Sequence, residues 1–488
     1  MIFLSRLWRE LKIILAPMPS KSANNPLCAV SPIDGRYKKY TEPLVKYWSE
    51  CASMKYKIIA EGEYLIALAE EKGVNLRKFS AKEKNIIRNL YNFREQEAAI
   101  ISQIELTGYK NIKATNHDFK AIEYYIKDKL GRTSLRDVLE YVHFGLTSED
   151  AGNIAYALML GESLRNVYLP EIKIIINKIE KLARENKNIP MLARTHGQPA
   201  SPTTLGKEFR IYAERLKRQL KQLEAHKLAA KLNGATGNYN ALYAAYPRMD
   251  WLKFSQKLIY SIGRERGVAL EANIFTTQIE PHDSYVELFD IMRRINYIII
   301  DFNQDMWRYI SDGWLLQKPK IGEIGSSTMP HKINPWFLEN SEGNLGMANA
   351  LFEFFARKLP ISRLQRDLSD STVLRNIGTA FGHSLIGFKY LNNQLGRIAV
   401  NKEKMLKDLN SHPEVITEAI QTILRREGVE MPYEKLKALT RGRVVSMEDF
   451  ANFIDGLQVS ESVKKELRKI TPENYIGLAS KLASKKLK

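Results

Sequence analysis

Four long stretches, 161–188, 205–232, 284–316 and 336–357, carry apolar residues three and four positions apart, the spacing of one face of an α-helix. Strand signals are few and short, so nothing else restricts the fold as much. In the third stretch Ile291, Ile295, Ile298, Phe302, Met306 and Tyr309 make one stripe, while Tyr297, Ile300, Trp307 and Trp314 make a second. Apolar residues on two faces require burial on two sides. Two arrangements satisfy that pattern: an inner helix of a monomeric core, or a bundle helix that also packs against other subunits. Either one makes the chain all-α.

Length gives room for a large core and several domains, since the chain has 488 residues and domains run to roughly 100–200 each. The softest joints lie near LGRTSLRD, around residue 136, and near residue 395. They divide the chain into an extension (1–26), an N-terminal helical domain (27–136), a central long-helix domain (137–395) and a C-terminal helical domain (396–488). In the extension, Leu4, Leu7, Trp8, Leu11, Ile14 and Leu15 share one helical face, with Arg6, Arg9, Glu10 and Lys12 elsewhere. Those charges argue against a secretory signal. A membrane-surface or targeting helix fits, as does a true start at Met18; a dispensable extension is the expectation.

The formal charge of +19 raises the possibility of a nucleic-acid partner. Its basic residues, however, alternate with acidic ones along helices (EIKIIINKIEKLAREN), as on solvated faces. The excess suits an anionic small substrate equally well. Cys28 and Cys51 are the two cysteines; they make no C-x-x-C pair, and a reducing cytosol fits. The histidines show no H-E-x-x-H spacing, so no metal or other cofactor is expected. No later apolar run is long and charge-free enough to span a bilayer, so no membrane partner is expected.

Polar residues gather at helix ends and loops in five places. SPIDGRY (31–37) is a Pro/Gly turn exposing Arg36 and Tyr37. TNHDFKAIEYY opens a helix with Asn116, His117 and Asp118, where Asn or Asp is an ordinary cap. In HFGLTSEDAGN, Thr147 or Ser148 can cap, acidic residues suit the dipole, and the same N–H groups can hold an anion. LARTHGQPASPTTLGKE places His196 in a Gly/Pro-interrupted polar segment between two long helices, a poor place for core filling. GSSTMPHKINP (325–335) sets Ser326, Ser327, His331, Lys332 and Asn334 in a loop between helical stretches, followed by WFLENSEGN and RDLSDSTVLR. A plain connector needs only a few turn residues. NGATGNYNA (233–241) has glycines but no preceding strand, and reads as a loop or a close helix approach rather than a nucleotide fold.

GSSTMPHKINP resembles the signature loop of the fumarase/aspartase superfamily. SPIDGRY, TNHD, TSED, RTHGQPA, TTQIEPHD, RDLSDSTVLR, PYEKLKALTRG and TPENYIG together resemble its adenylosuccinate lyase family in the bacterial-type form, in order from about residue 29 to the C-terminus. The departures are the extension and Trp336-Phe337, where the family pattern has a smaller residue and an acid.

The resemblance implies a three-domain, all-α fold whose central bundle forms the core of a cytoplasmic homotetramer, with each active site drawing on three subunits. It implies loss of fumarate from adenylosuccinate and from the succinyl-carboxamide ribotide of purine synthesis. Ser326 is then the general base and His196 the general acid. Ser327, Lys332, Ile333, Asn334, Thr147 and Ser148 face the succinyl carboxylates. Arg36, Tyr37, Arg366, Ser371, Thr372, Val373, Leu374 and Arg375 face the phosphate and nucleotide. Asn116, His117, Asp118, Gln278 and Asn340 complete the pocket, and His331 is left as loop support. The rivals are another fumarate-releasing lyase, such as argininosuccinate lyase or aspartase, and a basic helical scaffold for nucleic acid. The first has no need of Arg36, Tyr37, Ser371 and Arg375; the second has no need of His196, Lys332 and paired serines in separate loops.

Overall fold

The computed structural model describes residues 25–319, 322 and 328–485. Helices dominate, and the strands among the described residues form three two-stranded sheets, as an all-α chain with few strand signals requires. Residues 1–24, and with them most of the extension, lie outside the described residues, as do Ser326 and Ser327. The chain forms two compact units. One comprises the stretch ending at Tyr168 together with His226–Asp290 and Met347–Ile386; the other comprises Leu169–Ala225, Ile291–Gly346 and the stretch from Gly387 onward.

In the first unit, helix Glu50–Glu70 packs against helix Ser148–Ser163. Its start is set by Ser49, whose hydroxyl accepts from the Ala52 N–H at 3.1 Å, satisfying a donor that the first turn leaves open. Ile58, Ile59 and Leu68 on one helix and Leu158 and Leu160 on the other are fully buried, each such side chain contributing about 1.5–3 kcal/mol. An aromatic column continues the core. Ring centroids lie 4.8 Å apart for Tyr168–Phe381, 5.1 Å for Phe381–Phe352 and 5.5 Å for Phe352–Phe289.

In the second unit, helices Leu169–Glu185 and Leu205–Ala225 lie side by side. Ile172, Ile175, Ile176 and Ile179 face Leu205, Phe209, Ala213 and Leu216, all buried and all at helical spacing. Gly206 permits the approach, because a Cβ there would stand 2.4 Å from the Ala183 carbonyl oxygen and 2.6 Å from the Lys187 backbone. Helix Asp283–Ser311 buries the first of its two stripes: Ile291, Ile295, Ile298, Phe302 and Met306 are all buried. Of the second stripe, Tyr297 and Trp307 remain 49% and 43% exposed. Asn303 Nδ2 donates to Ser341 Oγ at 2.9 Å, and that hydroxyl donates to the Gly387 carbonyl at 2.9 Å, fixing three segments in one buried relay.

The helix boundaries differ from the periodicity in three places. The stretch 161–188 is the end of a longer helical run that begins at Ser148 and passes through a π-turn at Leu164–Tyr168 before ending at Glu185. The second helix stops at Ala225 rather than 232, because Leu228–Ala230 pairs in parallel with Leu270–Ala272 and the Ala229 N–H is taken by Ser284 Oγ. The third stops at Ser311, where Gly313 turns the chain at positive φ and Leu315–Gln317 pairs with Ile398–Val400. In the second and third places tertiary partners override the local pattern.

Candidate functional site

His196 sits at the tip of a hairpin. Strands Pro190–Thr195 and Gln198–Thr204 pair antiparallel with Thr195 opposite Gln198, so His196 and Gly197 are the two loop residues. Their φ values are 53° and 77°, the double positive φ of a type I′ turn, which matches strand twist. Glycine adopts this freely and histidine tolerates it. The ring is exposed and has no hydrogen-bond partner among the described residues. The hairpin itself is held firmly: helix Lys402–Asn410 packs on its first strand and Pro413–Ile416 on its second. Ser201 Oγ donates to Glu418, which also accepts from Tyr475 Oη at 2.8 Å.

The second unit also carries the described part of the loop. Lys332 and Ile333 are exposed, the Lys332 N–H closes a turn on the Met329 carbonyl at 3.1 Å, and Gln317 Nε2 donates to the Ile333 carbonyl at 2.8 Å. Asn334 precedes helix Trp336–Lys358, in whose first turns Asn340 Nδ2 donates back to the Trp336 carbonyl at 2.9 Å. Trp336 and Phe337 pack with Tyr390, and the Arg397 guanidinium lies 5.2 Å over the Phe337 ring. The two aromatic residues that depart from the family pattern thus anchor the helix that follows the loop.

The first unit brings the other candidates together in two clusters. In one, Asp118 receives Lys57 Nζ at 2.7 Å and lies 4.0 Å from Arg375 Nη2, while Arg375 Nη1 meets Glu50 at 3.1 Å. Burial alone would raise the Asp118 pKa, but the Lys57 ammonium prevails and holds it below its usual value. His117, not Asn116 or Asp118, caps helix Asp118–Leu130: its Nδ1 accepts from the Lys120 N–H at 3.3 Å, and Asn116 takes the positive φ before it. A pocket of about 270 Å³ joins the turn residues Ser31, Ile33 and Asp34 to Arg375. Arg36 is exposed and Tyr37 half-buried at the end of the same turn.

The other cluster surrounds the helix that Thr147 caps. Asp150 Oδ2 accepts from the Thr147 N–H at 3.0 Å, and Asp150 Oδ1 accepts from the Asn233 N–H at 3.0 Å and from Lys231 Nζ at 3.0 Å. Lys231 Nζ also donates to the Gly234 carbonyl at 2.8 Å. Both side chains are fully buried, so this ion pair ties the glycine-rich loop 233–241 to the helix start and leaves the half-buried Thr147 and Ser148 in fixed places. Next to it, Arg366 Nη1 donates to Gln278 Oε1 at 3.3 Å and Arg366 Nη2 lies 3.3 Å from Glu149. Gln278 Nε2 in turn donates to the Ala235 carbonyl at 3.2 Å.

Helix Ser369–Arg375 presents Ser371 and Thr372 outward but buries Val373 and Leu374 at 6% and 3% exposure. Any contact from those two to a ligand therefore comes from backbone. The sequence reading passed over Glu149, Asp370, Lys57 and Glu50, which set the charge around its chosen residues. It also passed over His143, held at φ 61° with Nδ1 2.6 Å from buried Glu61. Its position directly before FGLTSED was the available signal. Among the described residues no group of three or more His, Cys, Asp or Glu could hold a metal ion, and no helix is long and apolar enough to cross a membrane.

A mostly helical fold with a histidine at a hairpin tip and serine and arginine side chains at helix ends belongs, by similarity, to the lyases. The lyase family model matches residues 35–349, and the model for the adenylosuccinate lyase C-terminal region matches 362–476. Adenylosuccinate lyase of Haemophilus influenzae is 47% identical over 94% of this chain and 98% of that protein. The protein of the same name from Escherichia coli K12 is 46% identical over 93% and 97%, and that from Dictyostelium discoideum 47% identical over 93% and 97%. The 3-carboxy-cis,cis-muconate lactonizing enzyme of Pseudomonas putida shares the fold, with a TM-score of 0.68 at 18% identity over 92% of this chain and 97% of that one. The chain belongs to the adenylosuccinate lyase family of the fumarase/aspartase superfamily.

Proposed function

We propose that the chain eliminates fumarate from adenylosuccinate to give AMP, and from the succinyl-aminoimidazole-carboxamide ribotide to give its carboxamide product, at one site. The observation that carries this reading is the near-full-length similarity to proteins named adenylosuccinate lyase, across both family matches. In the same reading the protein is a cytoplasmic homotetramer of three-domain subunits divided near residues 136 and 395. Each of its active sites draws on three subunits.

The chemistry accounts for the residue types. A base must take a proton from the carbon beside a carboxylate, which builds a doubly negative aci-carboxylate. Ser326 is assigned as that base, and the exposed ring of His196 as the acid that protonates the departing nitrogen. Lys332 is assigned to the succinyl carboxylates and, on closure of the loop, to lowering the cost of the serine alkoxide. Ser327, Ile333, Asn334, Thr147 and Ser148 hold the succinyl carboxylates, and each donor aimed at the developing charge is typically worth about 2.7–4 kcal/mol. Arg36, Tyr37, Arg366, Ser371, Thr372, Val373, Leu374 and Arg375 take the nucleotide, the last two apolar residues through backbone only. Asn116, His117, Asp118, Gln278 and Asn340 complete the pocket.

Purified protein supplied with adenylosuccinate tests this by absorbance, with AMP and fumarate identified as products. Turnover is expected without added metal and in the presence of a chelator. Release of fumarate from argininosuccinate or aspartate instead, or dependence on a divalent ion, overturns the reading.

A further inference from the structure

Arg366 stands between two buried carboxylates. Its Nη2 is 3.3 Å from Glu149 Oε2 and 3.9 Å from Asp370 Oδ1, and the two acids are only 7% and 2% exposed. Among the described residues no other cation is paired with either acid. Lys231, the nearest, is committed to Asp150 at 3.0 Å and to the Gly234 carbonyl. The remaining titratable groups facing Glu149 are Asp150 and Tyr156 on its own helix and Tyr285 on helix Asp283–Ser311. With every carboxyl ionised, Glu149, Arg366 and Asp370 would leave one uncompensated negative charge in the interior, beside the place where a substrate with carboxylates and a phosphate must bind. Buried charge without a partner is resolved by taking up a proton. At the same time Arg366 Nε is buried and donates to nothing among the described residues, so the guanidinium has donor capacity that the folded chain leaves unused.

We propose that Glu149 is a positioning residue for the Arg366–Gln278 pair and acts as a neutral carboxylic acid, one proton being held between Glu149 and Asp370 while substrate binds. Arg366 then answers one full counter-charge instead of two and presents its positive charge to the anionic substrate. Ionisation of the second carboxyl turns the guanidinium inward and adds a repulsive charge behind it. Burial pushes the Glu149 carboxyl up to about 7, Arg366 opposing and Asp370 adding to the rise. Burial raises Asp370 as well, again against Arg366. The proton belongs to the pair, and either oxygen can carry it.

The inference rests on the substrate role proposed above for Arg366. Its test is the pH dependence of KM and kcat for adenylosuccinate in the wild type and in Glu149→Gln, which is locked neutral. If the neutral form alone binds, wild-type KM rises about tenfold relative to the variant between pH 7 and 8.5, while the two kcat profiles stay parallel. Superimposed KM profiles overturn the proposal. So does a folded Glu149→Gln protein whose kcat is lost more than about a hundredfold at every pH, since that requires an ionised carboxylate. Should Glu149→Gln not fold, Asp370→Asn serves. Glu149 then ionises as the single counter-charge of Arg366, so the KM rise between pH 7 and 8.5 must disappear; a rise like that of the wild type overturns the proposal. Wild-type protein that leaves adenylosuccinate intact at every pH overturns the functional reading itself, and with it the role of Arg366.

Discussion

Single residues here carry charge in settings that fix the sign of their effects. His282 is 2% exposed, its ring lies 5.2 Å from that of Tyr285, and burial pushes its pKa down from 6.5 to about 4, against a hydrogen bond to the Leu359 backbone. The unfolded chain therefore takes up this proton at higher pH than the folded one. Stability owed to His282 is intact above pH 6.5 and lost as pH falls toward 4, a loss of up to about 3 kcal/mol. His282→Asn keeps a residue that tolerates the positive φ at this position, 65°, and should flatten the acid side of a plot of urea midpoint against pH. A slope equal to that of the wild type between pH 6.5 and 4.5 would discard the assignment. Arg375 differs, being half exposed, with Glu50 and Asp118 as partners. Arg375→Ala removes a charge-assisted contact to phosphate, so KM should rise about tenfold or more with a smaller change in kcat. An unchanged KM would take Arg375 out of the nucleotide site.

At the scale of the element, two glycines nine residues apart, Gly197 and Gly206, are indistinguishable by composition, yet their neighbours separate them. Gly197 in the hairpin turn has nothing within 4 Å of a built Cβ, whereas Gly206 would drive one against the Ala183 carbonyl and the Lys187 backbone. Gly197→Ala therefore costs only backbone strain, about 1–2 kcal/mol, but the turn that presents His196 must relax. Its melting temperature should fall by a few degrees and its kcat far more. Gly206→Ala forces two helices apart and should lower thermal stability well beyond that, or prevent folding. Equal melting temperatures for the two variants would contradict this account. The hairpin also marks the limit of sequence reading. RTHGQPA was legible as a polar break between long helices, but not as strands, because Pro199 and Pro202 argue against a ladder and the pairing depends on helix Lys402–Asn410, two hundred residues away. Likewise the apolar spacing of Ile172 to Ile179 located a helix, while Leu228–Ala230 became a strand only through Leu270–Ala272. Local period specifies helices; contacts distant in sequence decide where they stop.

At the scale of the whole molecule, the same distinction separates which site residues could be named from what surrounds them. His196, Arg366 and Arg375 stood out because polar side chains at helix ends need a reason, and the family pattern supplied it. Glu149, Lys57 and Asp370 did not, since an acid in a helix's first turn already has a bland explanation and only the folded chain shows Glu149 and Asp370 meeting Arg366, and Lys57 meeting Asp118. The second stripe of helix Asp283–Ser311 falls between these cases. Tyr297 and Trp307 are about half exposed, as are Met347 and Phe354 on helix Trp336–Lys358, and large exposed apolar side chains on long helices suit a partner surface. A homotetramer with shared sites would supply that cover, and it has a consequence that a monomer cannot imitate. Inactive Ser326→Ala and inactive His196→Ala proteins, dissociated, mixed equally and reassembled, would place serine and histidine from different subunits in each site. Independent assortment then leaves about a quarter of sites with both groups intact. Activity should return to that order of magnitude. With exchange verified by mass or labelling, activity that stays at the level of either parent would mean that each site takes both residues from one chain.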